Sequence, residues 1–199
     1  MFSNLDPQIS VRIKELSIYK EIPAGTEILQ LGQYVNVIPI VEKGLVKVFT
    51  HHEDKELLLY YIQPVESCVM SFSAALKGQK SKVNAITEVD SNLLILPVDQ
   101  LKILLAEFPK LNDKFYEHYN QRYSELIDTI HQLIFTHLDQ RILDFLKERS
   151  TLTGQNPLKI SHKEIANNLG SAREVVSRLM KKLESEGKLL QLKDGIEIL

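Results

Sequence analysis

The sequence predicts an α+β chain with a β-rich N-terminal part, a long helix and a C-terminal winged helix-turn-helix. Three observations carry this. From about residue 19 to 97, short apolar runs are separated by turn signals. Residues 110–135 contain neither Gly nor Pro and repeat their apolar residues at alternating spacings of three and four. Finally, two short helical patterns meet at Gly170, and a two-strand pattern follows Gly187.

The 199 residues suffice for one large domain or two small ones, each with a core that needs no staples. Hydrophobic residues make up 44% and charged residues 25%, as in ordinary globular chains. Apolar runs are short ("LLLYYI" at 57–62), too short to span a bilayer. The start, "MFSNLDPQIS", lacks the basic and apolar regions of a signal peptide. A single cysteine, Cys68, excludes an internal disulfide and a cysteine cage within one chain. A cytoplasmic protein with no membrane partner is expected. The formal charge of −2 hides an asymmetry: residues 1–135 hold 13 Lys and Arg against 17 Asp and Glu, and residues 136–199 hold 11 against 9. The C-terminal part is mildly basic, the sign that suits phosphate.

In order, "YKEIPAGTEIL", "NVIPIVEKGLVKVFTHH", "KELLLYYIQP" and "NLLILPV" read as strands bounded by turns or Pro, which suggests a small sandwich or barrel. "VDQLKILLAEFP" reads as a short helix from near Asp99. The long helix follows. Its Tyr116, Tyr119, Tyr123, Leu126, Ile130 and Leu133 form an a/d seam, with His137 next in line. The seam is read as a face for a partner helix, a second copy being the simplest partner; the alternative is a helix packed on its own domain. A joint is placed at 135–139, where Thr136 and Asp139 fit a capping box, and another helix runs to about Ser150. "TLTGQNP" reads as a loop. The expected division is 1–110, 111–135 and 136–199.

Two further capping boxes are predicted, Ser161 with Glu164 and Ser171 with Glu174, opening helices that end at Gly170 and Gly187. Ile165, Ala166, Leu169, Val175, Val176, Leu179, Met180 and Leu183 supply the face that joins them. "KLLQLKDGIEIL" adds a hairpin around Asp194 and Gly195. In such a module the second helix enters the major groove. Arg173 and Arg178 then suit guanine O6 and N7, and Glu174 suits cytosine N4. Ser161, Lys163, Ser171 and Lys181 are the expected phosphate contacts. The alternative is a winged helix that binds protein.

The segment "ISHKEIANNLGSAREVVSRLMKKLESEGKLLQLKDGIEIL", with Arg173, Glu174 and Arg178 in an R-E-x-x-x-R pattern, resembles the winged helix of the Crp/Fnr bacterial transcription regulators. The resemblance extends over nearly the whole chain. It implies a β-roll of the cyclic-nucleotide-binding, jelly-roll type, a long dimerisation helix and a homodimer on double-stranded DNA, with RNA polymerase as a further partner. It also implies that the two arginines and the glutamate read a G·C-containing half-site. The effector half departs from the pattern. Val65 stands where glycine is expected before Glu66, and Lys80-Ser81 where Arg-Ser is expected. Leu126-Ile127 replaces the Thr-Ser pair that meets adenine. Lysine lacks the bidentate fork, and aliphatic side chains cannot bond a base. The pocket expected from Glu66, Lys80, Ser81, Leu126 and Ile127 is therefore not one for cyclic AMP, and the effector is unidentified. A β-roll that is only a scaffold is the competing reading.

No enzyme motif appears: no H-E-x-x-H, G-x-S-x-G or P-loop. Cys68 reads as a small buried hydrophobe, and His51-His52 as a solvated turn. Neither a cofactor nor a metal site is evident.

Overall fold

The computed structural model describes residues 6–52 and 55–199, with the side chains of residues 52, 55 and 132–134 outside that description. The expected seam residue Leu133 thus lies outside the described side chains. The chain forms two compact units, residues up to Thr50 with Leu59–Leu126, and His51–Leu58 with Ile127–Leu199.

In the first unit, α1 (Pro7–Leu16) starts at Asp6, whose carboxylate accepts the Gln8 N–H at 2.9 Å. Proline at the first helical position wastes no donor there. The strands are β1 (Ile18–Ile22), β2 (Glu27–Leu29), β3 (Val37–Lys43), β4 (Val46–His52), β5 (Lys55–Ile62), β6 (Asn84–Thr87) and β7 (Ser91–Pro97). They form two sheets of order β1-β7-β3 and β2-β6-β4-β5. β7 runs antiparallel to both β1 and β3, and β6 antiparallel to β2 and β4. Ile38, Ile40, Leu93 and Leu96 from one sheet and Val46, Val48 and Ala85 from the other share one core. This is the expected β-roll. His51 and His52 are the last two residues of strand β4 rather than part of a turn.

Helices cover the roll. α2 (Val69–Leu76) starts at Cys68, a buried residue whose sulfur accepts the Ser71 N–H at 3.4 Å. α3 (Val98–Glu107) begins one residue before Asp99, directly after Pro97. α4 (Lys110–Phe135) is the long helix. Near its start Phe115 stacks on Phe72 of α2 at 4.2 Å, and His118 is buried with Nε2 3.3 Å from the Ser67 carbonyl. The stripe beside them is exposed at Tyr116, Tyr119, Tyr123, Leu126 and Ile130.

The second unit contains α5 (Leu138–Thr153), α6 (His162–Asn168), α7 (Arg173–Ser185), β8 (Leu189–Leu192) and β9 (Gly195–Ile198). Ile142, Phe145, Leu146, Ile165, Val176 and Met180 centre its core, and Leu58 packs against it. Three sequence expectations need correction. The box of Thr136 with Asp139 is absent: His137 caps α5, and Asp139 instead holds Lys182 at 2.6 Å. α5 also runs through Thr151–Thr153, expected as loop, and closes on left-handed Gly154. The box of Ser171 with Glu174 is absent too, because the Ser171 N–H belongs to the preceding helix. It donates to Ala166 O at 2.8 Å while Gly170 N–H donates to Asn167 O at 3.2 Å. That is a Schellman cap, with Gly170 left-handed at φ 63°. Ala172 then caps α7.

Candidate nucleic-acid interface

α7 is held from three sides. The box of Ser161 with Glu164 is present and fixes the start of α6. His162 Nδ1 meets Ser177 Oγ at 3.0 Å, joining α6 to α7. Lys182 binds Asp139 of α5, which lowers the Asp139 pKa, chiefly through that hydrogen bond. Glu184 accepts both the backbone and side-chain N–H of Gln191 at 2.8 Å, tying the hairpin to α7 and lowering its own pKa. Arg141 donates to Leu169 O at 3.0 Å, and burial lowers its pKa.

The hairpin has company. Leu158 exchanges both backbone bonds with Ile196, at 2.8 and 2.9 Å, and the Asn156 amide bonds both the N–H and the C=O of Ile198 at 3.0 Å. At Gly195 a Cβ would lie 2.6 Å from the Leu158 carbonyl oxygen, so only glycine fits. The turn comprises Lys193 and Asp194, one residue earlier than expected, with Gly195 already in β9.

On this frame α7 divides in two. At roughly 100° per residue, Arg173, Ser177, Lys181, Glu174 and Arg178 fall within an arc of about 140°. Val176, Met180 and Leu183 on the other side are buried. Arg173, Glu174 and Arg178 are exposed and make no hydrogen bond or ion pair among the described residues. Glu174, no longer needed in a cap, is unengaged as well. Lys163 and Lys181 are likewise exposed. Ser161 differs: its hydroxyl donates to Glu164 Oε2 at 2.7 Å and accepts the Glu164 N–H at 3.2 Å, so it is spent on the cap. Ser171 is half-buried beside the turn.

The five residues expected to form an effector pocket are not brought together. Glu66 binds Arg122 at 2.5 Å, and Arg122 also binds Glu125 at 2.6 Å and lies 4.6 Å over the Tyr60 ring. Lys80 lies over the Tyr34 ring at 5.4 Å. The Ser81 hydroxyl is closed on Val83, donating to its C=O at 2.7 Å and accepting its N–H at 3.2 Å. Ile127 falls in the other compact unit. Leu126 lines a cavity with Leu59, Tyr60, Val69, Met70 and Arg122. Sequence reasoning missed Arg122, although a lone guanidinium beside the seam residues Tyr119 and Tyr123 was a usable signal. Tyr60 was missed as well; its hydroxyl sits 3.4 Å from Cys68 Sγ, and burial, then Cys68, pushes its pKa well up. Val65, at the position where the resemblance expects glycine, holds a positive φ of 69°.

Among the described residues no group of His, Cys, Asp or Glu could hold a metal, and no helix is long and apolar enough to cross a membrane. Residues 140–199 match the model of the Crp-like helix-turn-helix domain, and residues 19–108 that of the cyclic nucleotide-binding domain. No curated protein matches the chain. Among solved structures, a chain assigned to the Crp/Fnr transcriptional regulators from Eubacterium rectale is 27% identical, with a TM-score of 0.86 over 98% of this chain and 91% of that one. A CRP/FNR-family regulator from Thermus thermophilus is 25% identical, with a TM-score of 0.78 over 92% and 93%. The c-di-GMP-responsive global regulator CLP of Xanthomonas campestris is 20% identical, and its TM-score of 0.84 over 97% and 99% shows a shared fold. A DNA-binding winged helix and a cyclic-nucleotide-type roll on one chain are the parts of a regulator and not of an enzyme, and the chain belongs to the Crp/Fnr family of transcription regulators.

Proposed function

We propose that the protein is a cytoplasmic homodimer that reads a palindromic operator and answers to an effector other than cyclic AMP. The observation that carries the DNA reading is the arc of partnerless Arg173, Glu174 and Arg178 at the start of α7. Each arginine offers a two-donor fork to guanine, and the glutamate accepts from cytosine. Lys163, Lys181 and Ser171 lie nearby for phosphate, where contacts set register rather than sequence. Two such helices on a two-fold axis would meet half-sites about one helical turn, roughly 34 Å, apart. The bare tyrosine-rich stripe of α4 supports pairing of two copies there. In the expected three-part division (1–110, 111–135, 136–199) that helix connects roll to reading head. RNA polymerase is the further partner proposed for the DNA-bound dimer.

The closed hydrogen bonds of Ser81 and the Glu66–Arg122 pair support exclusion of cyclic AMP. They also favour a second reading, a roll that serves only as scaffold in a constitutive regulator. Selection of bound duplexes from a random pool, with and without cell extract, tests both. A palindrome with G·C pairs in each half is expected, and extract dependence separates the effector reading from the scaffold. Retention of no duplex at low salt would sink the proposal.

A further inference from the structure

We propose that the cavity between β5, α2 and α4 binds a small uncharged ring compound carrying one hydrogen-bond acceptor, and that this is the effector class. The second half rests on the regulator reading above; the first does not.

Size comes first. The cavity measures ≈ 120 Å³. Sites for larger ligands run to about 300–1,000 Å³, whereas an apolar cavity of about 150 Å³ holds one benzene. That volume is smaller than a nucleotide, and Glu66, Lys80 and Ser81 take no part in the lining. The walls are Leu59 and Tyr60 of β5, Val69 and Met70 of α2, and Arg122 and Leu126 of α4. Apolar walls of this kind select an apolar body.

Charge comes second. Arg122 is the one charged residue in the lining, and it faces two carboxylates, Glu66 and Glu125. That trio carries a net negative charge, so an anion gains nothing there. Its Nε–H, however, is buried without a partner. A buried donor left unmade is unfavourable, and one neutral acceptor on the ligand would satisfy it. The Tyr60 hydroxyl is already engaged with Cys68. Tyr119 and Tyr123 complete the lining on the exposed stripe of α4, so a paired second helix would close over a bound ligand.

The full chain supplies its own reporters. Of three methionines, Met70 is in the wall and Met180 is buried in the C-terminal core. With ¹³C-methyl methionine, benzyl alcohol should move the Met70 signal saturably and leave Met180 still. Benzene, lacking the acceptor, should bind several-fold more weakly, and cyclic AMP should move neither. Leu59→Phe, which fills the cavity, should abolish the shift; Val69→Ile, adding one methylene, serves if phenylalanine is not tolerated. Competition by cyclic AMP at Met70, or a Met70 signal indifferent to both ring compounds, overturns the site. Operator retention is scored separately. A Met70 response with no duplex bound keeps the site and removes the regulator reading, while duplex binding with a silent Met70 does the reverse.

Discussion

Val65 holds a left-handed φ of 69°, where a β-branched side chain is rare. Its surroundings impose the conformation: the Val65 N–H donates to Val41 O at 2.7 Å, and Glu66 O accepts the Val41 N–H at 2.9 Å. The left-handed penalty is roughly 1–2 kcal/mol. It exceeds the ~0.4–1 kcal/mol that a glycine loses through the unfolded chain. Val65→Gly should therefore raise Tm by about 1–3 °C; a lower melting point would show that the side chain contributes more than the backbone suffers. His118 sets a pH dependence. Burial first, and then nearby positive charge including Arg122, holds its pKa below the usual histidine value. The unfolded chain thus takes up the proton more readily than the folded one, so stability is full above the ordinary value near 6.5 and falls as pH drops through the lowered one. Melting curves of the wild type and His118→Gln between about pH 7.5 and 5 should converge toward acid if this is right. Neither residue's role was legible in the sequence, because strain and burial are set by what the rest of the chain packs around them.

At the scale of the element, the second helix of the helix-turn-helix was legible and its cap was not. The apolar positions of α6 and α7, the stop at Gly170 and the hairpin all follow from local chemistry. The box of Ser171 with Glu174 failed because two helices compete for one serine, and the Schellman cap of α6 takes it. That outcome leaves Glu174 available. Arg178→Ala is expected to cost about 1–3 kcal/mol of specific binding and to relax one base position. Lys163→Ala should weaken all duplexes alike and flatten the salt slope by about one. Competition binding against mismatched operators at two salt concentrations distinguishes them, and equal losses on every sequence for Arg178→Ala would remove its base contact. Gly195→Ala should unseat the Leu158 carbonyl and with it the wing, lowering Tm without touching α7.

For the whole molecule, the order of a strand-rich part, a long helix and a winged helix was readable from periodicity and turn signals and the roll from the family resemblance, whereas the effector region was not. Glu66, Lys80 and Ser81 were aligned by position, but in the folded chain each has found another partner. In the proposed dimer, the exposed stripe of α4 is the pairing face. Ile130→Asp places a charge in that stripe, outside the cavity wall, and should shift sedimentation toward the monomer. Operator affinity should then fall at least about tenfold, equivalent to ~1.4 kcal/mol, since each half-site must be bound separately. A monomeric wild type would undo this. The same stripe gives the molecule a built-in optical gauge. The chain has no tryptophan, and three of its seven tyrosines, at positions 116, 119 and 123, lie bare on α4. Ultraviolet emission therefore comes chiefly from phenols, and nearly half of them would change surroundings if two chains zip together as proposed. Dilution should be visible in their intensity without any attached dye.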